Sequence, residues 1–121
     1  MSYASFPFPH TKLHVFHVAL QLAAQARRIS ARVPRGYRSF ADQLKRAAGS
    51  TVLLIGEGAN RYSAGAKRQR YSEARGECGE VAAALQLLVA LELVPKQEAE
   101  EALSLAGRVG AMLTRLILRV G

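Results

Sequence analysis

From Val81 to Leu91 the chain places a single polar residue, Gln86, among Val, Ala and Leu. Thr51 to Ile55 is similar, with four aliphatic residues in five. At about 100° per residue, such runs put apolar side chains on every side of a helix. A helix that is apolar all round must be covered all round. The run from Val81 is too short to cross a bilayer, which needs about 20 residues. A lone four-helix bundle leaves one side of each helix in water. The second and third helices are therefore expected to face other subunits as well as their own core, which makes the chain a homo-oligomer. The alternative is a monomer with a wide Ala-rich face.

The rest of the chain divides into helices of the same kind. Leu13, Phe16, Leu20 and Ala23 or Ala24 predict a first helix from Thr11 to Val33, stopped by Pro34 and turned at Gly36. Ser39 is the expected N-cap of a second helix, with Asp42 three residues on. Its apolar stripe includes Phe40, Leu44, Ala47, Ala48, Leu54 and Ile55, and it should run out across Gly56 to Asn60. Ser63 is the expected N-cap of a third helix reaching about Leu93. Pro95 opens the fourth, with Glu98, Glu100 and Glu101 early and Arg115 and Arg119 late, as the helix dipole favours. Gly49, Gly76, Gly79, Gly107 and Gly110 fall inside helices, each at a cost of about 1 kcal/mol relative to Ala. They are expected where backbones approach closely.

The fold class is thus all-α, an antiparallel up-down four-helix bundle over residues 11–121. The chain's 121 residues suit one such domain. Residues 1–10, with two Phe-Pro steps, are expected to form an extended arm, either frayed or strapped along a groove.

A single cysteine, Cys78, can form no intrachain disulfide and belongs to no zinc-ligand pair. With no signal-peptide pattern at the N-terminus, this suits a cytoplasmic protein. The net charge of +8 favours polyanions, or serves solubility alone.

Four stretches carry a family resemblance across nearly the whole chain. They are Lys12-Leu13-His14-Val15-Phe16, Gln43 to Ser50 with Arg46 inside it, Ile55-Gly56-Glu57-Gly58 followed by Arg61, and Ala74-Arg75-Gly76 with Glu80 four residues on. In that order and spacing the chain resembles the bacterial four helix bundle protein family. That family includes proteins encoded in intervening sequences of large-subunit ribosomal RNA genes and the accessory variability protein of diversity-generating retroelements. Leu54 stands where the family usually has Asn, Gly56 where it has Ala, and Glu77 where it has Ser. The resemblance implies a bundle assembled as a ring-like homopentamer. It also implies structural roles for Arg46, Ser50, Glu57, Gly58, Gly76 and Glu80. Its accessory members bind nucleic acid and a reverse transcriptase, so RNA or DNA and a protein partner are the partners it suggests.

In an up-down bundle the chain start, the second loop and the chain end share one end. That end gathers Lys12, Arg61, Lys67, Arg68, Arg70, Arg115 and Arg119 against Glu57 and Glu73. The opposite end holds Arg27, Arg28, Arg32, Arg35, Arg38 and Lys96, largely offset by Asp42, Glu92, Glu98, Glu100 and Glu101. The first of these ends is the expected nucleic-acid surface, since guanidinium forks suit phosphate and Tyr62 and Tyr71 lie near enough to stack on unpaired bases. The other reading is a solvated helical surface.

Glu57, between two glycines, is expected to accept backbone N–H bonds at the start of the third helix. His10, His14 and His17 have helical spacing but no acidic or thiol companion, so no metal site is assigned. Cys78 reads as a buried, inert thiol. No nucleophile–base set, cofactor loop or catalytic residue can be assigned, and an enzyme is not expected.

Overall fold

The structure, a computed structural model, describes residues 8–120. Helix α1 runs His14–Arg32, α2 Arg38–Ala59, α3 Ala64–Ala90 and α4 Lys96–Arg119. Short 3-10 turns at Pro9–Lys12 and Arg35–Tyr37 precede α1 and α2. Successive helices pack on one another and α1 closes the set against α4, while the backbones of the diagonal pairs stay apart. With tight connections between successive helices, this is the expected antiparallel up-down bundle.

One contiguous core holds it together. Leu22 and Ala26 of α1, Leu44 and Ile55 of α2, and Val109 and Leu113 of α4 are all fully enclosed. On α3 the buried residues are Tyr71, Ala74, Cys78, Val81, Leu85 and Leu88, a strict alternation of three and four. Burying each large aliphatic side chain contributes about 1.5–3 kcal/mol. Within one chain, then, α3 is covered along a single seam. Ala82, Ala84 and Val89 flank that seam half-buried, while Leu87 and Leu91 are exposed; Leu53 on α2 is 70% exposed and Leu118 on α4 is 79% exposed.

Several ends differ from expectation. The first helix starts three residues late because Pro9–Lys12 winds as a 3-10 turn, its Thr11 hydroxyl donating to the Phe8 carbonyl at 2.7 Å. This turn also shortens the expected extended arm: residues 8–12 are not extended along a groove, and residues 1–7 lie outside the described part. Ser39 is not a cap. The turn Arg35–Tyr37 feeds straight into α2, so Tyr37 takes the N-cap position and Ser39 falls inside the helix. At the other end α2 continues through both glycines to Ala59, and Asn60 closes it by donating its side-chain amide to the Gly56 carbonyl at 2.7 Å. Ser63 does cap α3, accepting from the Ala66 amide at 3.1 Å.

Helix α3 stops at Ala90, short of Leu93, in a Schellman turn. The Leu93 amide bonds the Leu88 carbonyl and the Glu92 amide bonds the Val89 carbonyl. Glu92 holds the left-handed conformation, φ 60°, that glycine would take more readily.

The interior glycines do not mark close approaches within the chain. Gly49, Gly76, Gly79, Gly107 and Gly110 have open space where a Cβ would stand, because they lie on outer flanks of their helices. Gly58 is different: a Cβ there would sit 2.6 Å from Tyr71 Cε1. Tyr71 is only 3% exposed, so its ring cannot swing aside. Gly58→Ala should therefore destabilise the bundle by about 1–3 kcal/mol by overpacking. Gly107→Ala, measured beside it by thermal melting, should leave the bundle as stable or slightly more so.

Candidate nucleic-acid interface

The Pro9–Lys12 turn, the α2–α3 connection and the end of α4 come together at one end of the bundle. Asn60 Nδ2 lies 2.9 Å from His10 Nδ1, and Arg68 of α3 reaches the end of α4. The cations expected here divide into two groups by what they touch.

Three are engaged. Lys67 Nζ donates to the carbonyls of Ala59, at 2.9 Å, and Gly58, at 3.5 Å. Arg68 donates to the Val120 carbonyl at 3.1 Å. Both place positive charge on carbonyls left open at a helix C-terminus, Lys67 on α2 and Arg68 on α4. Arg70 donates to Glu73 at 2.8 Å and lies 3.9 Å from Glu57. The hydrogen bond that Arg70 donates to Glu73, and that carboxylate's charge, hold the Arg70 guanidinium still more firmly protonated than usual.

Four are not engaged. Lys12, Arg61, Arg115 and Arg119 have no ion pair among the described residues, and all four are exposed. Arg115 and Arg119 line a shallow groove of about 230 Å³ between the start of α1 and the end of α4, with Leu13 and His14 opposite and no acidic residue in its walls. Tyr62, at the tip of the α2–α3 connection beside Arg61, is fully exposed. A phosphate chain could therefore meet unneutralised guanidinium groups with an aromatic face nearby.

Tyr71 takes no part. It is enclosed between α2 and α3 against Gly58, and the expectation that it stacks on bases is withdrawn. Glu57 also differs from expectation. Because α2 runs past it to Ala59, its carboxylate projects from the helix flank toward Arg70, and Ser63 supplies the α3 cap instead.

The residues carrying the family motifs split in the same way. Arg46 of α2 forks across to α3, pairing with Glu80 and, at 3.4 Å, with Glu77. The Glu that stands in place of the usual Ser thus supplies a second carboxylate to that bridge. Gly58 accommodates Tyr71, as described. Ser50 is half-buried on α2 with no side-chain hydrogen bond among the described residues, and Gly76 lies open on the outer face of α3.

The three histidines do not converge. His10 packs its ring edge on Phe16 at 4.7 Å, His17 holds the Thr11 carbonyl at 2.8 Å, and His14 faces the groove. No cluster of three His, Cys, Asp or Glu that could hold a metal is found among the described residues. The Cys78 thiol is buried, donates to the Ala106 carbonyl at 3.2 Å and is pushed toward its protonated form by burial.

Sequence reading missed the carbonyl-capping roles of Lys67 and Arg68. The signal was present. In an up-down bundle, bases in the first turns of one helix lie beside the last carbonyls of both antiparallel neighbours, here α2 for Lys67 and α4 for Arg68.

Fold and site together define an all-α up-down bundle with a cationic end, and no helix among the described residues is long and apolar enough to cross a membrane. The model of the 23S rRNA-intervening sequence protein family matches residues 11–115. The chain belongs to that family. No curated protein matches the chain.

Burial raises the Tyr71 hydroxyl above its ordinary value of 10.0. A group whose folded value is raised contributes stability in full below its unfolded value and loses it as pH climbs through the folded one. Unfolding titrations should therefore show stability falling above pH 10, with a shallower fall in Tyr71→Phe. An equal fall in both proteins would assign the slope to other groups.

Proposed function

We propose that this chain is a non-enzymatic, cytoplasmic helical scaffold that assembles as a homo-oligomer, a pentameric ring, and binds structured RNA or DNA through the end carrying Lys12, Arg61, Arg115 and Arg119. The observation that carries the nucleic-acid reading is the sorting of cations at that end. The carboxylates there are taken up by Arg70, and those four cations are left without a counter-charge. Around a ring they would make a continuous basic rim with Tyr62 at intervals for stacking. The family's description, which ties its members to sequences intervening in 23S rRNA, supports RNA as the ligand.

Assembly is supported by Leu53, Leu87, Leu91 and Leu118, large aliphatic side chains that one bundle leaves in water. Ring size rests on the resemblance alone. A purely structural assembly is the second reading, favoured by the same leucines if the cations prove inert.

Sedimentation equilibrium at micromolar concentration should return a multiple of 13.1 kDa. A well-folded single subunit at that mass would end the scaffold reading. A mobility-shift titration against salt tests the rim. Replacing Arg61, Arg115 and Arg119 together with Gln should weaken RNA binding and reduce the log–log salt slope by about 2–3, from roughly 0.7–0.9 per lost phosphate contact. Unaltered affinity and slope would remove this surface. Lys67 and Arg68 are left intact in that variant because their loss would also open two helix ends.

A further inference from the structure

The opposite end of the bundle is not neutralised as its composition suggests. Two of its carboxylates stand on the α1–α4 side, Glu98 paired with Arg32 and Glu101 in the groove between those two helices, whose lining Arg28 shares. On the α1–α2 side a cleft of about 680 Å³ lies between the two helices near their connecting turn. Arg27 and Arg28 stand on its α1 wall, and Arg38 and Lys45 on its α2 wall. No acidic residue lines it. Arg27, Arg28 and Arg38 have no ion pair among the described residues. Lys45 has only an exposed bond to Asp42 at 3.6 Å, an ion pair of little strength in water.

The cleft exists because its walls are made of small residues. Ala23 and Ala31 on α1 face Ala41 and Gly49 on α2, so no side chain fills the space between the two helices. Its one buried polar side chain, Ser30, is spent on the fold, donating to the Ala41 carbonyl across the helix pair at 3.1 Å. The first turn of α2 has neither a capping side chain nor an acid to offset the cations. The cleft is thus a concave surface of one sign, and charge of one sign in a recess concentrates counter-ions of the other.

We propose that this α1–α2 cleft is a binding site for a short chain of linked phosphates, either the tail of a nucleoside triphosphate or inorganic polyphosphate. Three of its four cations are Arg, whose planar fork binds phosphate oxygens in pairs. A triphosphate carries roughly four negative charges at neutral pH, about the number of cations that meet here. The cleft closes at the turn from Val33 to Arg38. Closed at that turn and open along the helix pair, the cleft gives the end of a phosphate chain a place to terminate. Its volume is that of an ordinary small-molecule site. The proposal does not depend on the nucleic-acid rim, which lies at the other end of the bundle.

The test is calorimetric titration of the full chain with sodium tripolyphosphate and, separately, with ATP, in 50 mM salt at about pH 7.5. The comparison proteins are Arg27→Gln/Arg28→Gln/Arg38→Gln and Arg115→Gln/Arg119→Gln. All five positions are exposed, and circular dichroism confirms that both variants fold. Saturable binding of tripolyphosphate is expected, weakened at least tenfold in the first variant and less than twofold in the second. Equal affinities for the two ligands would identify the phosphate chain alone as what is recognised, and tighter ATP binding would identify a nucleotide. Absence of saturable binding, or equal weakening in both variants, would overturn the site. So would a first variant that loses RNA binding while tripolyphosphate fails to compete with RNA on the parent protein, since the cleft would then be a backbone contact.

Discussion

The structure depends on the seam that α3 presents between α2 and α4. Tyr71, Ala74, Cys78, Val81, Leu85 and Leu88 recur every three or four residues along one side of a 27-residue helix. That spacing lets one helix bury a continuous line against two neighbours at a shallow crossing angle. At its lower end the line is thick, and Tyr71 fits only because α2 offers Gly58. At its upper end it is closed by Leu93 folding back over Leu88 through the turn at Glu92. A left-handed glutamate costs about 1 kcal/mol against glycine. Sealing that end of the core, with Val94 buried behind it, outweighs this cost.

The chain's charge follows from how that core is assembled. Helices α2 and α3 are bridged on their outer flank by Arg46 with Glu77 and Glu80, and α1 and α4 by Arg32 with Glu98. The first bridge engages two carboxylates on the side of the bundle, and the second engages one at the end that carries the α1–α2 turn. At the other end Arg70 takes up Glu57 and Glu73, and two cations, Lys67 and Arg68, are turned inward onto helix carbonyls. What remains outward at each end is arginine without a counter-charge. A formal excess of +8 thus becomes two separate cationic surfaces, one a shallow rim and the other a recess.

Most of the fold was legible in the sequence because four helices of regular periodicity, punctuated by Pro34, Asn60, Ser63 and Pro95, leave little choice of architecture. What was not legible lay at the helix ends. Ser39 looked like a cap, but a 3-10 turn already supplied the helical entry one turn earlier. Gly56 and Gly58 looked like a stop, yet α2 passed through both, and Gly58 is there because Tyr71, thirteen residues away in sequence, requires the bare backbone. That requirement is tertiary and no local pattern carries it. Tyr71 and Tyr62 were alike as letters, but Tyr71 falls in phase with the α3 seam whereas Tyr62 lies in the connection before α3 begins. The same holds for the cations. Counting charges by bundle end treated Arg28 and Arg32 as equals, whereas of the two only Arg32 is paired with Glu98.

The apolar girth of α2 and α3 shows how far one subunit satisfies its own sequence. The run from Val81 to Leu91 was read as needing cover on all sides, and the bundle covers it along the seam while Leu87 and Leu91 stay outside. Beside them lies an outer face of Ala83, Ala90, Gly76 and Gly79, where a Cβ at either glycine would meet nothing. Glycine inside a helix is unfavourable unless its missing side chain serves something. At Gly58 that purpose is visible within the chain. At Gly76 and Gly79 it is not, and the assembly proposed above would use both the small residues and the stranded leucines. Solubility alone would have favoured Ala at the glycines and a polar residue at Leu87, at no cost to the seam.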